Sequence, residues 1–490
     1  MKRRRKLIRS GFGGATSSPP ATARLISTSH MVDNVVSSAS NNRNNRKREY
    51  VTHDATGDVY VYFPNYYLSN VASIANGTGS ITINGTAEYN GNLYTYSFGG
   101  ASSAAVAAGS GTWAKLSGLT SLTAGTFIYF NTRTLGQAGA ANRLRGIECQ
   151  ARFDEGSFAD TGSTDITTTY GRGATATATA SAGTITAISF DNTGSNALYT
   201  NGDALIAYET QVDGTIRQFL IGTYDTSSGN PSAWSAAGRI NTTGWAGTPS
   251  IKVCSRAASF GSLSGDIYAP IMMVATPTSG AAKQVLIIGD SNGHSSADIA
   301  QSPNGFKGMY ERGLNGTAAT ANISYSGRKA SDVDDISTGG LSTLYNLYLP
   351  YHNRVLYALG GNDAATDSAA TITANINACA TIYRNAGKEV AIATIPNRTT
   401  STDSWTTVVN QTATTGFTTG AAVDMLNTDI RANTIVSDWG DPIDSRILSQ
   451  DSVSTDKWKV VAPSLAITDG THYNQFGIVN LDDATWRAMF

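Results

Sequence analysis

Three residues have the types and the order of a serine catalytic triad: Ser291, Asp469 and His472. Ser291 follows an aliphatic run and a Gly-Asp pair, a place where a buried strand would end and expose a hydroxyl group. Asp469 stands three residues before His472, so one turn can bring the carboxylate and the imidazole to the same side. An aspartate that accepts from one imidazole nitrogen leaves the other free to take the serine proton. The sequence therefore predicts a serine nucleophile, although Gly-Asp-Ser by itself also fits a helix cap.

Aliphatic runs that end in glycine or polar residues recur at 285–288, 353–363 and 388–397, and they predict strands buried on both faces. Apolar residues three or four apart predict two helices between and after them, at Ile372, Ile376, Cys379 and Tyr383 and at Val423, Leu426 and Ile430. A last helix is predicted within 474–490. This alternation predicts a parallel, three-layer α/β domain from about residue 281, in which Ser291 and Asn362 emerge at the same sheet edge.

Residues 281–490 resemble the SGNH (GDSL-type) hydrolases, because four short motifs of that family occur in order. They are Gly289-Asp290-Ser291, the glycine Gly327, Gly360-Gly361-Asn362-Asp363 and Asp469-Gly470-Thr471-His472. The resemblance implies a flavodoxin-like fold with Ser291 as nucleophile, His472 as base and Asp469 orienting the imidazole. It also implies an oxyanion hole made by the backbone N–H groups of Ser291 and Gly327 and the side-chain amide of Asn362.

The sequence departs from the family pattern at three positions, Asn292, Arg328 and Tyr473. We expect all three to lie beside the pocket rather than in the proton path, so they put the substrate preference in doubt. The rival base is His294, which is close to Ser291 in sequence but has no carboxylate placed beside it.

Other chemistry-bearing residues receive structural interpretations. His352 is expected at the opposite sheet edge, and Asp290 and Asp363 are expected to brace loops by accepting backbone N–H bonds. Cys254 and Cys379 are predicted core residues. With Cys149 they make three widely spaced cysteines, which predict neither a disulfide framework nor a metal site. We expect no metal and no cofactor.

Residues 51–280 are predicted to form an antiparallel β-sandwich, since short alternating runs are separated by Asn-Gly and other turn signals. Only 14% of the chain is charged and glycine numbers 50, which is typical of short strands with tight turns. A small β insert is predicted near 165–210. Its stretch 173–194 resembles modules of phage tail fibres and other virion proteins, although a generic Gly/Thr hairpin explains it equally well.

Residues 1–50 are predicted to be a flexible, basic docking arm, because residues 1–48 hold eleven Lys or Arg and one acid, Asp33. Such an arm on an acidic body could contact an acidic protein, nucleic acid or nothing, and nucleic acid is the less favoured partner. The first 20 residues lack the apolar region of a secretory signal, and the chain has no stretch of about 18 apolar residues for a membrane span. We expect synthesis in a host cytoplasm.

These features together predict a serine esterase that removes O-acetyl groups from a cell-surface polysaccharide as part of a phage tail or surface appendage. Virion proteins would be its partners through the arm, and a homotrimer is expected from the fibre-like module. Two alternatives remain open. One is a receptor-binding or structural virion protein without catalysis, and the other is a lipase or thioesterase.

Overall fold

The computed structural model describes two well-connected parts of the chain, together with isolated strands between them. The described residues are 18–30, 34–36, 43–77, 79–90, 92–135, 143–145, 148–150, 156–159, 176–181, 184–190, 204–210, 216–223, 252–256, 264–266, 268–294, 306, 308–314, 316–435, 437–440, 442–447, 450–460 and 469–473. Within them, no helix is long and apolar enough to cross a membrane.

The part up to residue 135 contains only strands among its regular elements. They are β1 Arg24–Leu25, β2 Ser29–His30, β3 Asn34–Val36, β4 Arg43–Tyr50, β5 Ala55–Pro64, β6 Tyr66–Asn70, β7 Ser73–Asn76, β8 Ile81–Tyr89, β9 Asn92–Ser97, β10 Ser103–Val106, β11 Gly111–Leu116, β12 Ser121–Leu122 and β13 Phe127–Leu135.

Nine separate strands are described between 143 and 266. They are β14 Arg143–Arg145, β15 Glu148–Gln150, β16 Gly156–Ala159, β17 Ala176–Ser181, β18 Thr184–Phe190, β19 Ala204–Thr210, β20 Ile216–Thr223, β21 Lys252–Arg256 and β22 Ser264–Asp266. In the region of the predicted insert, β17 pairs with β18, while β19 pairs with β20 and β21.

Strand β23 completes the antiparallel sheet, and after residue 280 strands and helices alternate. The elements are β23 Met272–Pro277, β24 Lys283–Gly289, α1 Met309–Gly313, β25 Ala318–Asn322, α2 Ser342–Tyr348, β26 Arg354–Ala358, α3 Ala369–Asn385, β27 Glu389–Ile392, β28 Thr399–Ser401, β29 Gln411–Ala413 and α4 Ala422–Arg431. The predicted last helix, 474–490, lies outside the described residues.

The β-rich part is built on an eleven-stranded antiparallel sheet with the path β1-β23-β5-β11-β9-β8-β13-β4-β16, joined by β10 and β12, while β6 and β7 form a separate hairpin. Its core is aromatic: Phe63 contacts Tyr96, Phe98 and Tyr268 at ring-centroid distances of 5.2, 6.2 and 6.3 Å. The prediction of an all-β antiparallel region agrees with this sheet. Strand β9 connects its two halves, because its first residues pair with β8 and its last two pair with β11. The two-layer sandwich stays a prediction.

The second part is built on a parallel sheet with the order β2-β25-β24-β26-β27. Alternate residues of its strands belong to two different buried clusters, so both sheet faces are covered. Leu286 and Ile288 pack with Ile372 of α3, whereas Val285 and Ile287 pack with Met309 of α1. Burial on both faces is why these strands are continuously aliphatic.

The two predicted helix faces agree with the structure. Helix α3 buries its Ile372, Ile376, Cys379 and Tyr383 face, and α4 buries Val423, Leu426 and Ile430. Helix α3 begins because the Ser368 hydroxyl accepts from the Thr371 N–H at 3.2 Å, and it ends before Gly387, which has φ +77°.

The prediction of a flexible arm over residues 1–50 needs correction, because Arg24–Leu25, Ser29–His30 and Arg43–Tyr50 are strands of the two main sheets. Strand β2 extends the parallel sheet beside β25, and β4 lies between β13 and β16. Its basic character does not exclude burial, since Lys47 forms an ion pair with Glu49 at 2.9 Å and both side chains are buried. Residues 1–17 lie outside the described residues.

Apolar residues of this segment also join the two parts of the molecule. Leu25 is fully buried, and its N–H donates to the carbonyl of Tyr351 at 2.9 Å, just before β26. Ile26 is fully buried as well, and its N–H donates to Met273 of β23 at 3.3 Å.

We therefore expect Leu25→Ala to lower the free energy of unfolding by about 2–5 kcal/mol, as for other buried leucines. The matched control is Thr22→Ala at an exposed position three residues earlier, with an expected change within about 0.5 kcal/mol. Urea denaturation followed by fluorescence measures both. Equal, negligible changes would mean that the segment is dispensable for folding.

Candidate active site

The turn after β24 places Ser291 at the carboxyl end of the parallel sheet. The Asn292 N–H donates to the Asp290 carboxylate at 2.9 Å, and the His294 N–H donates to the Asp290 carbonyl at 2.8 Å. The turn is tight because a Cβ atom on Gly293 would lie 2.6 Å from the Ser324 hydroxyl. Ser291 itself is only 4% exposed, so its hydroxyl is held in place rather than free in solvent.

The structure brings Ser291, His472 and Asp469 together into one hydrogen-bonded chain. The His472 Nε2 atom lies 2.7 Å from the Ser291 Oγ, and the His472 Nδ1 atom lies 2.6 Å from Asp469 Oδ2. With Nδ1 donating to the carboxylate, Nε2 is the basic nitrogen that faces the serine hydroxyl. The contact between His472 and Ser291 joins residues that are 181 positions apart in the sequence.

The loop that carries Asp469 and His472 is fixed by its own backbone. The other oxygen of Asp469 accepts from the N–H groups of Thr471 and His472, both at 2.8 Å. Burial alone would raise the pKa of Asp469, but these bonds and the one from the imidazole outweigh it and lower that pKa. Asp469 therefore stays ionised, as an aspartate must in order to orient an imidazole.

Gly470 allows this loop to pack closely against the β28–β29 hairpin. It has φ +75°, and a Cβ atom there would overlap the carbonyl oxygen of Thr399. The Gly470 carbonyl accepts from the Thr399 N–H at 2.9 Å and from the indole of Trp458 at 3.1 Å. The catalytic loop is thus anchored on both sides.

The three expected oxyanion donors lie in neighbouring turns. Gly327 has φ +81° and is exposed, and Asn362 is half-buried at the end of β26. Among the described residues, no acceptor pairs with the backbone N–H of Ser291 or of Gly327. Both N–H groups are therefore available to a ligand oxygen.

The Asn362 amide is held at both ends. Its oxygen accepts from Arg398 Nη2 at 3.0 Å, and its nitrogen donates to the Arg328 carbonyl at 3.0 Å. A primary amide nitrogen carries two hydrogens, so one remains for an oxyanion. Arg398 was not among the residues expected from the sequence.

The β6–β7 hairpin, a two-stranded sheet of the β-rich part, forms part of the wall beside Gly327. Arg328 is fully buried, and its Nε donates to the Val71 carbonyl of this hairpin at 2.6 Å. A Cβ atom on Gly327 would lie 3.9 Å from Val71, and the Tyr325 hydroxyl donates to the Ser69 carbonyl at 3.4 Å. Burial lowers the pKa of Arg328 to about 10, so the guanidinium remains charged at neutral pH.

Asp290 and Asp363, the aspartates of the first and third motifs, brace loops, as expected. Both oxygens of Asp363 accept from the Ala330 N–H, at 3.1 and 3.0 Å. Burial raises the pKa of Asp290, which the Asn292 N–H and the positive charge of Arg398 partly offset.

The rival histidines have other surroundings. The His294 ring packs against Tyr325 with a centroid distance of 6.2 Å, and it is His472 that meets the serine. His352 is buried, with Nδ1 2.7 Å from the Tyr348 carbonyl, and burial lowers its pKa to about 3. The position of His352, buried just before β26, agrees with the structural interpretation given to it.

One of the three departures from the family pattern lies elsewhere than expected. Tyr473 does not border the pocket but packs in the core, 4.9 Å from Trp458 between ring centroids, with its hydroxyl donating to Ser445 at 3.3 Å. Arg328 lies beside the pocket, as expected. Its side chain donates to the Val71 carbonyl, and its own carbonyl accepts from the Asn362 amide. Of the predicted core cysteines, Cys379 is fully buried, while the surroundings of Cys254 lie outside the described residues.

Comparison with known proteins gives structural matches only. No family model matches the chain, and no curated protein matches it in sequence. A putative acylhydrolase from Bacteroides fragilis is 14% identical, with 43% of this chain and 88% of that chain covered and a TM-score of 0.29.

Two further solved structures match a similar share of the chain. A lipase/acylhydrolase from Enterococcus faecalis is 17% identical over 42% of this chain and 95% of its own, with a TM-score of 0.28. An acetyl xylan esterase is 14% identical over 42% of this chain and 100% of its own, with a TM-score of 0.30. At these values the matches do not decide the activity, and the chemistry follows from the geometry of the site.

A fluorophosphonate probe should label Ser291 covalently, and the labelling rate should depend on His472 rather than His294. We expect His472→Ala to slow labelling by at least about 10²-fold, because the serine loses its general base. The matched control His294→Ala should change the rate by less than about threefold, since that ring faces Tyr325. Mass spectrometry of the labelled peptide measures both rates, and the opposite ranking would assign the base to His294.

Proposed function

We propose that the chain is a serine ester hydrolase with Ser291 as its nucleophile. The observation that carries this proposal is the continuous hydrogen-bonded chain from Asp469 through His472 to Ser291, with distances of 2.6 and 2.7 Å. Beside it lie two unpaired backbone N–H groups and an oriented amide, which is the arrangement that stabilises a tetrahedral oxyanion.

The reaction would proceed in two balanced halves. His472 Nε2 takes the Ser291 proton as Oγ attacks the ester carbonyl, and the carbonyl oxygen becomes the oxyanion. Collapse of the tetrahedral intermediate breaks the ester C–O bond, and the imidazolium gives its proton to the departing alcohol. Water then attacks the acyl-serine with the same base, which releases the acid and restores the serine.

We propose an O-acetyl group on a cell-surface polysaccharide as the substrate. The support comes from two half-buried aromatic side chains beside the proposed catalytic loops: Tyr325 packs against His294 at 6.2 Å between ring centroids, and Trp405 lies 2.6 Å from where a Cβ atom on Gly470 would be. Aromatic faces with a polar edge suit pyranose rings, which present both C–H and hydroxyl groups. The exposed large apolar side chains of the described residues are scattered singly: Val409, Ile447 and Val453 lie in loops, and Met425 lies on α4.

We further propose that the enzyme works on a virion appendage, as a homo-oligomer. The support is the large antiparallel sheet, which is joined to the α/β part where the Leu25 N–H of β1 donates to the Tyr351 carbonyl at 2.9 Å. Docking to virion proteins through the basic N-terminal arm stays a proposal, and residues 1–17 of that arm lie outside the described residues. Immunodetection on purified particles tests this, and a protein found only free in the host lysate would contradict it.

The nucleophile and the amide donor are tested by substitution. Ser291→Ala should abolish hydrolysis of 4-nitrophenyl acetate, and Asn362→Ala should lower kcat by about 10²–10³ with little change in KM, because the amide acts on the developing oxyanion. Asn346→Ala, an exposed amide on α2, is the matched control and should leave kcat unchanged. Circular dichroism confirms folding of each variant. A wild-type rate in Ser291→Ala would refute the proposed nucleophile.

The substrate is tested by acetate release from a panel of acetylated bacterial glycans. We expect wild-type protein to release acetate from at least one glycan with a higher kcat/KM than from 4-nitrophenyl acetate, because binding of remote sugar units contributes to transition-state stabilisation. Octanoyl and palmitoyl esters serve as the comparison. Preference for the long acyl chains would indicate a lipase or thioesterase, and no turnover of any ester would favour a binding protein.

A further inference from the structure

We propose that Arg398 is a positioning residue of the oxyanion hole, which sets the orientation of the Asn362 amide and strengthens its free N–H as a donor. This inference rests on the proposed ester hydrolysis and deepens it, because it assigns a role to a residue outside the four motifs.

Arg398 lies at the site for the same reason as Ser291 and Asn362, because each residue follows a strand of the parallel sheet. It follows β27, the next parallel strand after β26, at the same sheet edge. Its backbone is fixed, since its carbonyl accepts from the Thr414 N–H at 2.9 Å and from the Thr414 hydroxyl at 3.2 Å. Its guanidinium lies over the Phe417 ring, 5.2 Å from the centroid.

The hydrogen bonds to Asn362 permit one orientation of the amide. A guanidinium only donates and a backbone carbonyl only accepts. In the observed orientation Arg398 donates to Oδ1 and the Arg328 carbonyl accepts from Nδ2, each at 3.0 Å. A flipped amide would place its N–H₂ against Arg398 and its oxygen against the Arg328 carbonyl, and both hydrogen bonds would be lost. The second Nδ2 hydrogen is therefore presented to the oxyanion position before substrate binds.

The charge of Arg398 adds to this effect. Asp290 and Asp469 both act on it electrostatically. Burial lowers the pKa of Arg398, and these two carboxylates partly offset that lowering. A guanidinium stays charged at neutral pH. A cation bound to the amide oxygen polarises the amide and makes its free N–H a stronger donor.

The Nε atom of the Arg398 guanidinium is buried and has no hydrogen-bond partner among the described residues. A buried unpaired donor costs about 1–3 kcal/mol of stability. The Arg328 Nη2 is unpaired among them in the same way, so the role assigned to Arg398 rests on its hydrogen bond to Asn362.

A double-mutant cycle between Arg398 and Asn362 tests the proposal. Arg398→Met should lower kcat for 4-nitrophenyl acetate by about 10–10²-fold with KM within about threefold, which is less than removal of the donor itself. In the Asn362→Ala background the same substitution should change kcat by less than about twofold, because the amide it orients is gone. Arg398→Lys, which keeps a charge and a donor, should recover part of the loss.

The matched control is Arg354→Met at the opposite end of β26. Arg354 also lies over an aromatic ring, that of Trp439 at 5.2 Å, and pairs with Glu389 at 2.8 Å, but it is far from the catalytic edge of the sheet. Its kcat should equal that of wild type. Thermal melts accompany every variant, and Arg398→Lys replaces Arg398→Met in the cycle if the methionine variant does not fold.

Additive losses in the cycle would overturn the role of Arg398, and so would a loss confined to KM. To separate this from failure of the proposed function, the cycle is repeated with the rate of fluorophosphonate labelling of Ser291, in which a phosphonyl oxygen enters the oxyanion hole. Coupling in labelling without ester turnover would support Arg398 and refute hydrolysis. Normal hydrolysis with additive losses would refute Arg398 alone. A wild type inert to both esters and phosphonate would refute both.

Discussion

The parallel register of β24, β26 and β27 is the constraint on which the site depends. Ile288 stands opposite Tyr357, and Tyr357 stands opposite Ile392, so the three strands end at nearly the same level. The residues that follow them, Ser291, Asn362 and Arg398, therefore emerge together at one edge, as is general for open α/β sheets. A slip of one residue in either pairing would reverse the buried faces of a strand as well as separate these side chains. The aliphatic core and the catalytic geometry are thus fixed by the same hydrogen bonds.

The β6–β7 hairpin of the β-rich part also contributes to this site. Val71 of the β6–β7 hairpin accepts from the Arg328 guanidinium, and the Arg328 carbonyl in turn accepts from the Asn362 amide. Two hydrogen bonds thus connect the hairpin to an oxyanion donor. These two hydrogen bonds, and the pairing of β2 with β25, join the β-rich part of the chain to the α/β part.

The sequence was sufficient for what short spacing and strand patterns encode. The triad residues, the two helix faces and the bracing role of Asp363 could be predicted, because each depends on a local motif or on the shared edge of parallel strands. The burial of β4 could not be predicted, because lysine and glutamate side chains are usually exposed. Here they are buried as an ion pair between Lys47 and Glu49. The same limit applies to Val71, whose contact with Arg328 spans 257 positions. Arg398 could have been found, because it follows the third aliphatic run as Ser291 and Asn362 follow the first two.

Three buried polar atoms without a partner among the described residues gather around the oxyanion hole: Ser324 Oγ, Arg328 Nη2 and Arg398 Nε. Ser324 and Arg328 flank the turn that presents Gly327, and Arg398 follows β27 and donates to Asn362. Each unpaired atom lowers stability relative to a paired group. Their positions are fixed by other contacts of the same side chains, such as the close approach of Ser324 to Gly289 and Gly293. If the proposed hydrolysis is correct, this cost accompanies donors that are held ready for a charge formed only in the transition state.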